Sequence, residues 1–515
     1  MIKSKYAIKG QVAFLIFISA SLLINVTKVT AQDLVPAKAK GPLYNYFCTW
    51  AAQNYLYDSG RASINMDSVI LNNNAFGLMN ERWLTGKEGW LNFYKKVHSD
   101  LIFLLDEGYN TKAKDGMEID PSKFPSLKGS PAERQIQLSK LVLRYGWGKL
   151  GLWSRGIESI PEARERVMWA KNAGVSYWKI DGGDEKCIYD SLRNLIYPEL
   201  VIEHAIWPGV TVFNNGPNGS LMAGYGASRV NFLENTDVVR IYDIDQPIGQ
   251  ITGLARVAGL LAVANGDKKA KAIINCEDLV TVGAGLGCSY GIFRFPITGK
   301  RPQGDPDIFN AGPRQTKKRM DEVVRAVRWQ RIAPPFASNA EPVIVDNILL
   351  TDQMTIKKGE TWDIHIPSLL IQSAPARITR GLPLPEVKSD DGYLPFVIAS
   401  KNPDGAVTIA TLGRFSDANG YQTPPANISL QIGAIPNFIG VFGYYKSLIL
   451  HFKTSLKNKR ILGQDLAGNK AIDITHQVII GNNELILSGS LISKIGLHNA
   501  TPGDLSDPGL VIAIR

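Results

Sequence analysis

Three short segments carry carboxylates where they can act on a bound substrate. In Trp178-Lys179-Ile180-Asp181-Gly182-Gly183-Asp184 an apolar run ends in an Asp and two glycines. An ionised Asp at a strand tip has the chemistry of a nucleophile, and the glycines let a substrate approach the backbone. Lys179 lies two residues back on the same pleat face, within reach of a substrate hydroxyl. The plainer role for such an Asp is to cap the next loop. The second segment is Arg240-Ile241-Tyr242-Asp243-Ile244-Asp245 and the third is Asn275-Cys276-Glu277-Asp278-Leu279. Two carboxyls facing each other across a cleft, one ionised and one kept protonated by its surroundings, are what glycoside hydrolysis requires.

The elements that must position these groups are legible from their punctuation. Ser130-Pro131-Ala132-Glu133 is a capping box with Pro at the first helical position, opening a helix to about Tyr145. The apolar run Lys149–Trp153 follows. The same grammar returns 29 residues later, where Ser159-Ile160-Pro161-Glu162 opens a second helix that ends at Asn172-Ala173-Gly174, before a strand over Val175–Asp181. Helix-then-strand units in tandem imply parallel strands with crossover helices. Further apolar runs at Leu101–Leu105, Leu200–Ile202, Val238–Tyr242 and Ala272–Asn275 complete the pattern, several with an acidic residue at the C-terminal end. An eight-stranded (β/α) barrel places its chemistry at that end of its strands. After Pro334-Pro335 helical patterns give way to alternating strands with turn signals, as in Gln477–Ile480, Gly481-Asn482-Asn483 and Glu484–Leu487. The expected architecture is a (β/α)8 TIM barrel over residues 32–338, followed by an antiparallel β-sandwich over 339–515.

Composition bounds the rest. The chain has 515 residues, 45% hydrophobic and 20% charged, which excludes a disordered or collagen-like polypeptide. Lys3, Lys5 and Lys9 precede an apolar run from Val12 to Val26 and a small-x-small site at Val29-Thr30-Ala31, the layout of a cleaved signal peptide over residues 1–31. The run is short for a membrane span, so a secreted or periplasmic protein with no integral span after cleavage is expected. Removing Lys3, Lys5, Lys9 and Lys28 lowers the formal charge from +10 to +6, and no basic cluster with interleaved aromatics suggests a nucleic-acid partner. Cys48, Cys187, Cys276 and Cys288 are too few and scattered for a disulfide framework or a zinc site. The six histidines never fall at HxxxH or HxH spacing, so neither metal nor cofactor is expected.

Two further motifs compete with the carboxylates. Gly287-Cys288-Ser289-Tyr290-Gly291 fits the G-x-S-x-G elbow of esterases, but Ile292-Phe293-Arg294-Phe295-Pro296 after it does not read as the helix that motif needs. Gly283-Ala284-Gly285-Leu286-Gly287 lacks the dinucleotide-binding glycine spacing.

Taken in order, the segments resemble the α-galactosidase (melibiase-type) barrels of glycoside hydrolase family 27 and its clan relatives, over most of residues 41–515. Leu104-Leu105-Asp106-Glu107-Gly108-Tyr109 is similar to the family's Asp-Asp segment, and Asp120-Pro121-Ser122-Lys123-Phe124-Pro125 to the Asp-Pro-x-x-Phe-Pro after it. Trp178–Gly182 resembles the nucleophile strand, Trp207-Pro208 a Trp-Pro after the fifth strand, and Asn275–Leu279 the family's Asn-Asp-Pro-Asp-Met. The resemblance implies a retaining glycoside hydrolase acting on an oligosaccharide or polysaccharide, with Asp181 as nucleophile and Asp243 as acid/base. It also implies that Lys179, Asp106 and Glu107 hold sugar hydroxyls, that Arg240 binds substrate oriented by Asp278, and that Trp50 joins an aromatic floor. The chain departs from the family in three places. Two residues rather than three separate Arg240 from Asp243, which leaves Asp245 as a rival acid/base. Glu107 stands where the family has Asp. Ile202-Glu203-His204-Ala205-Ile206-Trp207-Pro208 replaces Cys-Glu-Trp-Pro, leaving Glu203 and His204 as candidates for the missing acidic role in substrate binding. The alternative is a carbohydrate-binding relative that keeps the fold without turnover.

Overall fold

The computed structural model describes residues 33–56, 75–87, 89–111, 117–182, 186–205, 232–241, 250–296, 318–351, 373–417 and 420–515. The signal-like segment 1–31, Asp184, Trp207-Pro208, Asp243 and Asp245 lie outside these residues.

Eight parallel strands form one sheet: β1 (Tyr46–Cys48), β2 (Ile102–Leu105), β3 (Lys149–Ser154), β4 (Tyr177–Ile180), β5 (Val201–Ala205), β6 (Val238–Arg240), β7 (Ile273–Asn275) and β8 (Gly291–Ile292). Their spatial order is sequential from β7 back to β1, and β1 then pairs with β8. A parallel bridge between Asn275 and Ser289 brings β7 against the approach to β8 and nearly closes the sheet into a barrel. With helices between strands, this is the arrangement of a (β/α)8 barrel. Each strand is buried along almost its whole length, as a sheet covered on both faces requires.

The two helices read from their caps form as expected. Helix α1 spans Pro131–Arg144, with both halves of the capping box made between Ser130 and Glu133. Helix α2 spans Ile160–Ala173, with Ser159 accepting from the Glu162 amide and Gly174 closing it in the left-handed conformation. Helix α3 (Ile188–Ile196) follows β4, and α4 (Gln250–Ala264) follows β6. Helix α5 (Val280–Leu286) connects β7 to β8, and α6 (Met320–Gln330) comes after β8.

Helix α4 is apolar nearly all round, and nearly every residue in it is buried. That composition suits a helix covered on both sides. Its first residue, Gln250, donates to the Gly413 carbonyl at 2.7 Å. Helix α5 is likewise enclosed. A Cβ on its Gly285 would meet Ile398 at 2.4 Å, so only glycine permits this approach of helix to sheet.

The chain beyond residue 340 is rich in sheet. One eight-stranded sheet runs Ile472–Asp473, Ile461–Asp465, Gly509–Ile514, Ile439–Phe442, Val407–Leu412, Phe396–Lys401, Arg377–Arg380, Val343–Val345 from edge to edge. A five-stranded sheet runs Glu386–Lys388, Asn427–Gly433, Ser447–Phe452, Glu484–Ser488, Ile479–Ile480. These sheets are mixed rather than antiparallel. Arg377–Arg380 runs parallel to Phe396–Lys401, Val407–Leu412 to Ile439–Phe442, and Asn427–Gly433 to Ser447–Phe452. Alternation along a strand fixes which face is apolar but not which way its neighbour runs, so the sequence could not reveal this. A helix also appears where strands alone were expected: Gly489–Gly496, capped by Ser488 and burying Leu491, Ile492 and Ile495.

Strand alternation divides the core. Phe396 and Ile398 join the apolar cluster that contains the barrel, whereas Val397 and Ala399 join a second cluster with Leu430, Leu448, Leu450 and Leu485. Buried polar ties reinforce the first contact. Arg325 on α6 lies 3.1 Å from Asp465, and Arg380 donates to the carbonyls of Leu286 and Ala337, each at 2.6 Å. Among the described residues, no helix is long and apolar enough to cross a membrane.

Candidate active site

The C-terminal end of the barrel gathers most of the expected residues. Asp181 follows the last residue of β4, where the chain turns out of the sheet through Gly182 at φ +69°. Its side chain keeps 22% of its surface exposed, whereas the groups around it are almost wholly buried. Arg240, the last residue of β6, forms an ion pair with Oδ1. The Trp153 indole donates to Oδ2 at 2.9 Å, and the Lys179 ammonium stands 3.9 Å from the same oxygen. Burial alone would raise the Asp181 carboxyl. Arg240, then Lys179 and the indole hydrogen bond, outweigh it and hold the group below its ordinary value. Asp181 is therefore an ionised carboxylate open to a ligand.

Lys179 is anchored from the other side. Its ammonium lies 2.6 Å from Asp106 Oδ2 and 5.5 Å from the centre of the Phe293 ring. Burial opposes its charge, but the carboxylate of Asp106 prevails and the ammonium stays protonated. Asp106 is fixed in turn by its own amide, which donates to Thr49 Oγ1 at 2.9 Å, and by the Cys48 thiol, which donates to Oδ2 at 2.9 Å. Burial and then Asp106 push that thiol well above its usual value, so Cys48 serves as a hydrogen-bond donor and not as a nucleophile. The Glu107 amide donates to Asp106 Oδ1 at 2.8 Å, and its carbonyl accepts from Gln53 at 2.9 Å, so its backbone is held beside the site. Trp50 is buried near the end of β1, its ring 5.9 Å from that of Phe76.

Two assignments change. Asp278 does not orient Arg240. It pairs with Arg294 at 2.6 Å and accepts from the amides of Phe293 and Arg294. The carboxylate that meets Arg240 Nη1, at 2.8 Å, is Glu277. The reason is local: Glu277 takes φ +51°, a left-handed turn that aims its side chain back into the barrel and sends the next residue toward β8. Glu203 does not line a substrate surface. It is fully buried, with Tyr46, Tyr177 and Asn275 donating to it at 3.1, 2.7 and 2.8 Å, and it forms an ion pair with the Arg240 guanidinium, whose Nε lies 3.2 Å away without a hydrogen bond. Burial raises its carboxyl against the opposing pull of Arg240. Arg240 is itself completely buried among these carboxyls. It acts on Asp181, and Glu203 and Glu277 position it.

The residues not anticipated for the site are Trp153, Cys48 and Glu277. Trp153 ends the third apolar run, and its place at a strand tip was the available signal. Glu277 lies in the third carboxylate segment, where the resemblance favours Asp278 over it, and Cys48 carries no signal beyond adjacency to a strand end. The serine of the G-x-S-x-G motif is buried and lies between the end of α5 and the start of β8. That is helix then strand, the reverse of the order a nucleophile elbow requires.

The Asp278–Arg294 pair gives a stability prediction. Arg294 also meets Glu322 at 3.1 Å, and its backbone carbonyl accepts from the Tyr94 hydroxyl. Arg294→Met leaves Asp278 buried without its cation and is expected to cost about 3–5 kcal/mol. Urea unfolding followed by circular dichroism checks this, and a loss under about 1 kcal/mol would contradict the buried pairing.

A second cluster lies between the barrel wall and its helices. His204 projects from β5 on the face opposite Glu203, and its Nε2 is 2.8 Å from Asp190 Oδ2 on α3. The His204 ring stacks on Phe232 at 4.7 Å, with 7° between the planes. Cys187, which caps α3, completes a set of ligand atoms all within 4.8 Å of one another. The sequence leaves His204 a candidate for the substrate site, but strand alternation turns it away from the lumen.

No protein-family model matches this chain, and no curated protein matches it either.

Proposed function

We propose that the protein is a retaining glycoside hydrolase whose nucleophile is Asp181, acting on α-galactosides or a closely related sugar. The observation that carries this reading is the state of Asp181: an ionised, partly exposed carboxylate at the C-terminal mouth of a (β/α)8 barrel, flanked by a protonated Lys179 and the Trp153 indole. Asp181 would attack the anomeric carbon while a second carboxyl protonates the leaving oxygen. Water activated by that second carboxyl would then release the sugar with its original configuration. Asp243 is our choice for the second carboxyl and Asp245 the rival. Asp106 and Lys179 supply an acceptor and a donor suited to sugar hydroxyls, with Glu107 beside them. Phe293, Trp153 and Trp50 pack as an apolar wall behind these groups. The family 27 resemblance adds the order of these residues along the chain and the sugar class. We further read residues 1–31 as an export signal, which makes the enzyme secreted or periplasmic, and the two tail sheets as a β-sandwich that buttresses the barrel.

A second reading rests on a specific contact. Both Asp181 oxygens are engaged, Oδ1 by Arg240 and Oδ2 by Trp153, which lowers the basicity of a nucleophile and suits a carbohydrate-binding barrel without turnover. A panel of aryl glycosides (α-galactoside, α-N-acetylgalactosaminide, β-L-arabinopyranoside) separates the two. Turnover of one of them, with proton NMR showing the substrate's own anomer as the first product, is expected. The opposite anomer rejects the double displacement. Silence across the panel together with calorimetric binding of the free sugars selects the binding module.

A further inference from the structure

We infer that Cys187, Asp190 and His204 form a zinc site outside the barrel lumen, three protein donors with the fourth tetrahedral position left to water. The three side chains come from the cap of α3, the first turn of α3 and the outer face of β5, and all are buried. Their ligand atoms lie within 4.8 Å of one another. A tetrahedral zinc with these donors separates ligand atoms by roughly 3.3–3.8 Å, so closing on a metal needs a drawing together of about 1 Å and a slight widening of the 2.8 Å His204–Asp190 contact.

Two observations point to a cation in addition to the clustering. Asp190 Oδ1 is buried and has no hydrogen-bond partner among the described residues, although a buried carboxylate ordinarily fills both oxygens. The His204 ring is locked by its stack on Phe232 with Nε2 facing the carboxylate, the orientation a ligating nitrogen needs. Thiolate, imidazole and carboxylate together select zinc over calcium or magnesium. Charge also closes: one thiolate and one carboxylate neutralise the dication, and His204 binds neutral. Binding releases the Cys187 thiol proton to solvent.

The site ties β5 to the start of α3. Five residues separate Asp181 from Cys187, so the metal fixes the far end of the connection that begins at the candidate nucleophile. The inference does not depend on the glycosidase reading.

Metal content of the purified full-length chain, with cobalt(II) substitution, tests it. One equivalent of zinc per chain is expected after dialysis. The cobalt form should show the near-ultraviolet thiolate-to-metal band that only a cysteine ligand produces. Cys187→Ser should abolish the band, and Asp190→Asn, which preserves shape, should weaken zinc binding by about 100-fold or more. No thiolate band in the wild-type chain, or equal zinc affinity in folded Asp190→Asn, overturns the site. Should Cys187→Ser fail to fold, the Asp190→Asn titration decides alone.

Discussion

Asp181→Asn is expected to lower kcat/KM on the responsive aryl glycoside by at least about 10⁴-fold while leaving the far-ultraviolet spectrum intact. The amide keeps the shape of the carboxylate and its contact with the Trp153 indole, but it removes the negative charge that attacks the anomeric carbon. Arg240 keeps its ion pairs with Glu203 and Glu277, so the barrel end stays occupied. Asp181→Gly extends the test. With the side chain gone, added azide attacks from the vacated face, breaks the bond to the leaving group in one step and yields a glycosyl azide of inverted configuration. Rescue with that stereochemistry identifies Asp181 as the nucleophile, and undiminished hydrolysis by either variant would falsify the assignment. The same group sets the acid side of the pH profile. Its carboxyl is held below its ordinary value by Arg240 and Lys179, so the acid limb of kcat/KM should lie at lower pH than an ordinary Asp would set. Folded-state stabilisation by its ion pairs follows the same sign: present above the ordinary value, lost as pH drops through the lower one.

The second large effect concerns the proton donor. Asp243→Ala should slow hydrolysis of substrates with poor leaving groups by about 10²–10⁴-fold, with little change for activated aryl glycosides, whose leaving group departs without a proton. Asp245→Ala should not discriminate between the two. Leaving-group dependence measured over a series of substituted phenyl glycosides checks this. If the selective loss belongs to Asp245→Ala, the acid/base lies two residues further from Arg240 than we propose.

What the sequence made legible followed from local rules. The helices at 131–144 and 160–173 announce themselves through Ser-x-x-Glu caps and a terminal glycine, interactions made within four residues. The strands announce themselves as apolar runs bounded by these helices, and Asp181 and Lys179 fall on one face because strand geometry alone puts them there. What was not legible depended on contacts between distant segments. Arg240 could have met Asp278 or Glu277, neighbours in the chain, and the left-handed backbone at Glu277 decided between them. Glu203 and His204 are also adjacent, and alternation along β5 sends one into the lumen and the other to the helices. Cys187, Asp190 and His204 meet across two elements, a proximity that spacing along the chain does not reveal. Strand direction in the tail sheets is likewise a property of pairing and leaves no mark in alternation.

The enclosure of helices α4 and α5 bears on how the chain is made. Both are complete by residue 286, but the strands that cover them include Phe396–Lys401, whose Ile398 fills the space beside Gly285. About a hundred residues must therefore be added before that cover exists, which at typical synthesis rates is roughly 5–20 s. During that interval the nascent barrel exposes two apolar helix flanks with nothing to shield them. Shielding of the barrel helices therefore waits on the tail, and a holdase acting on this chain would find its binding surface there.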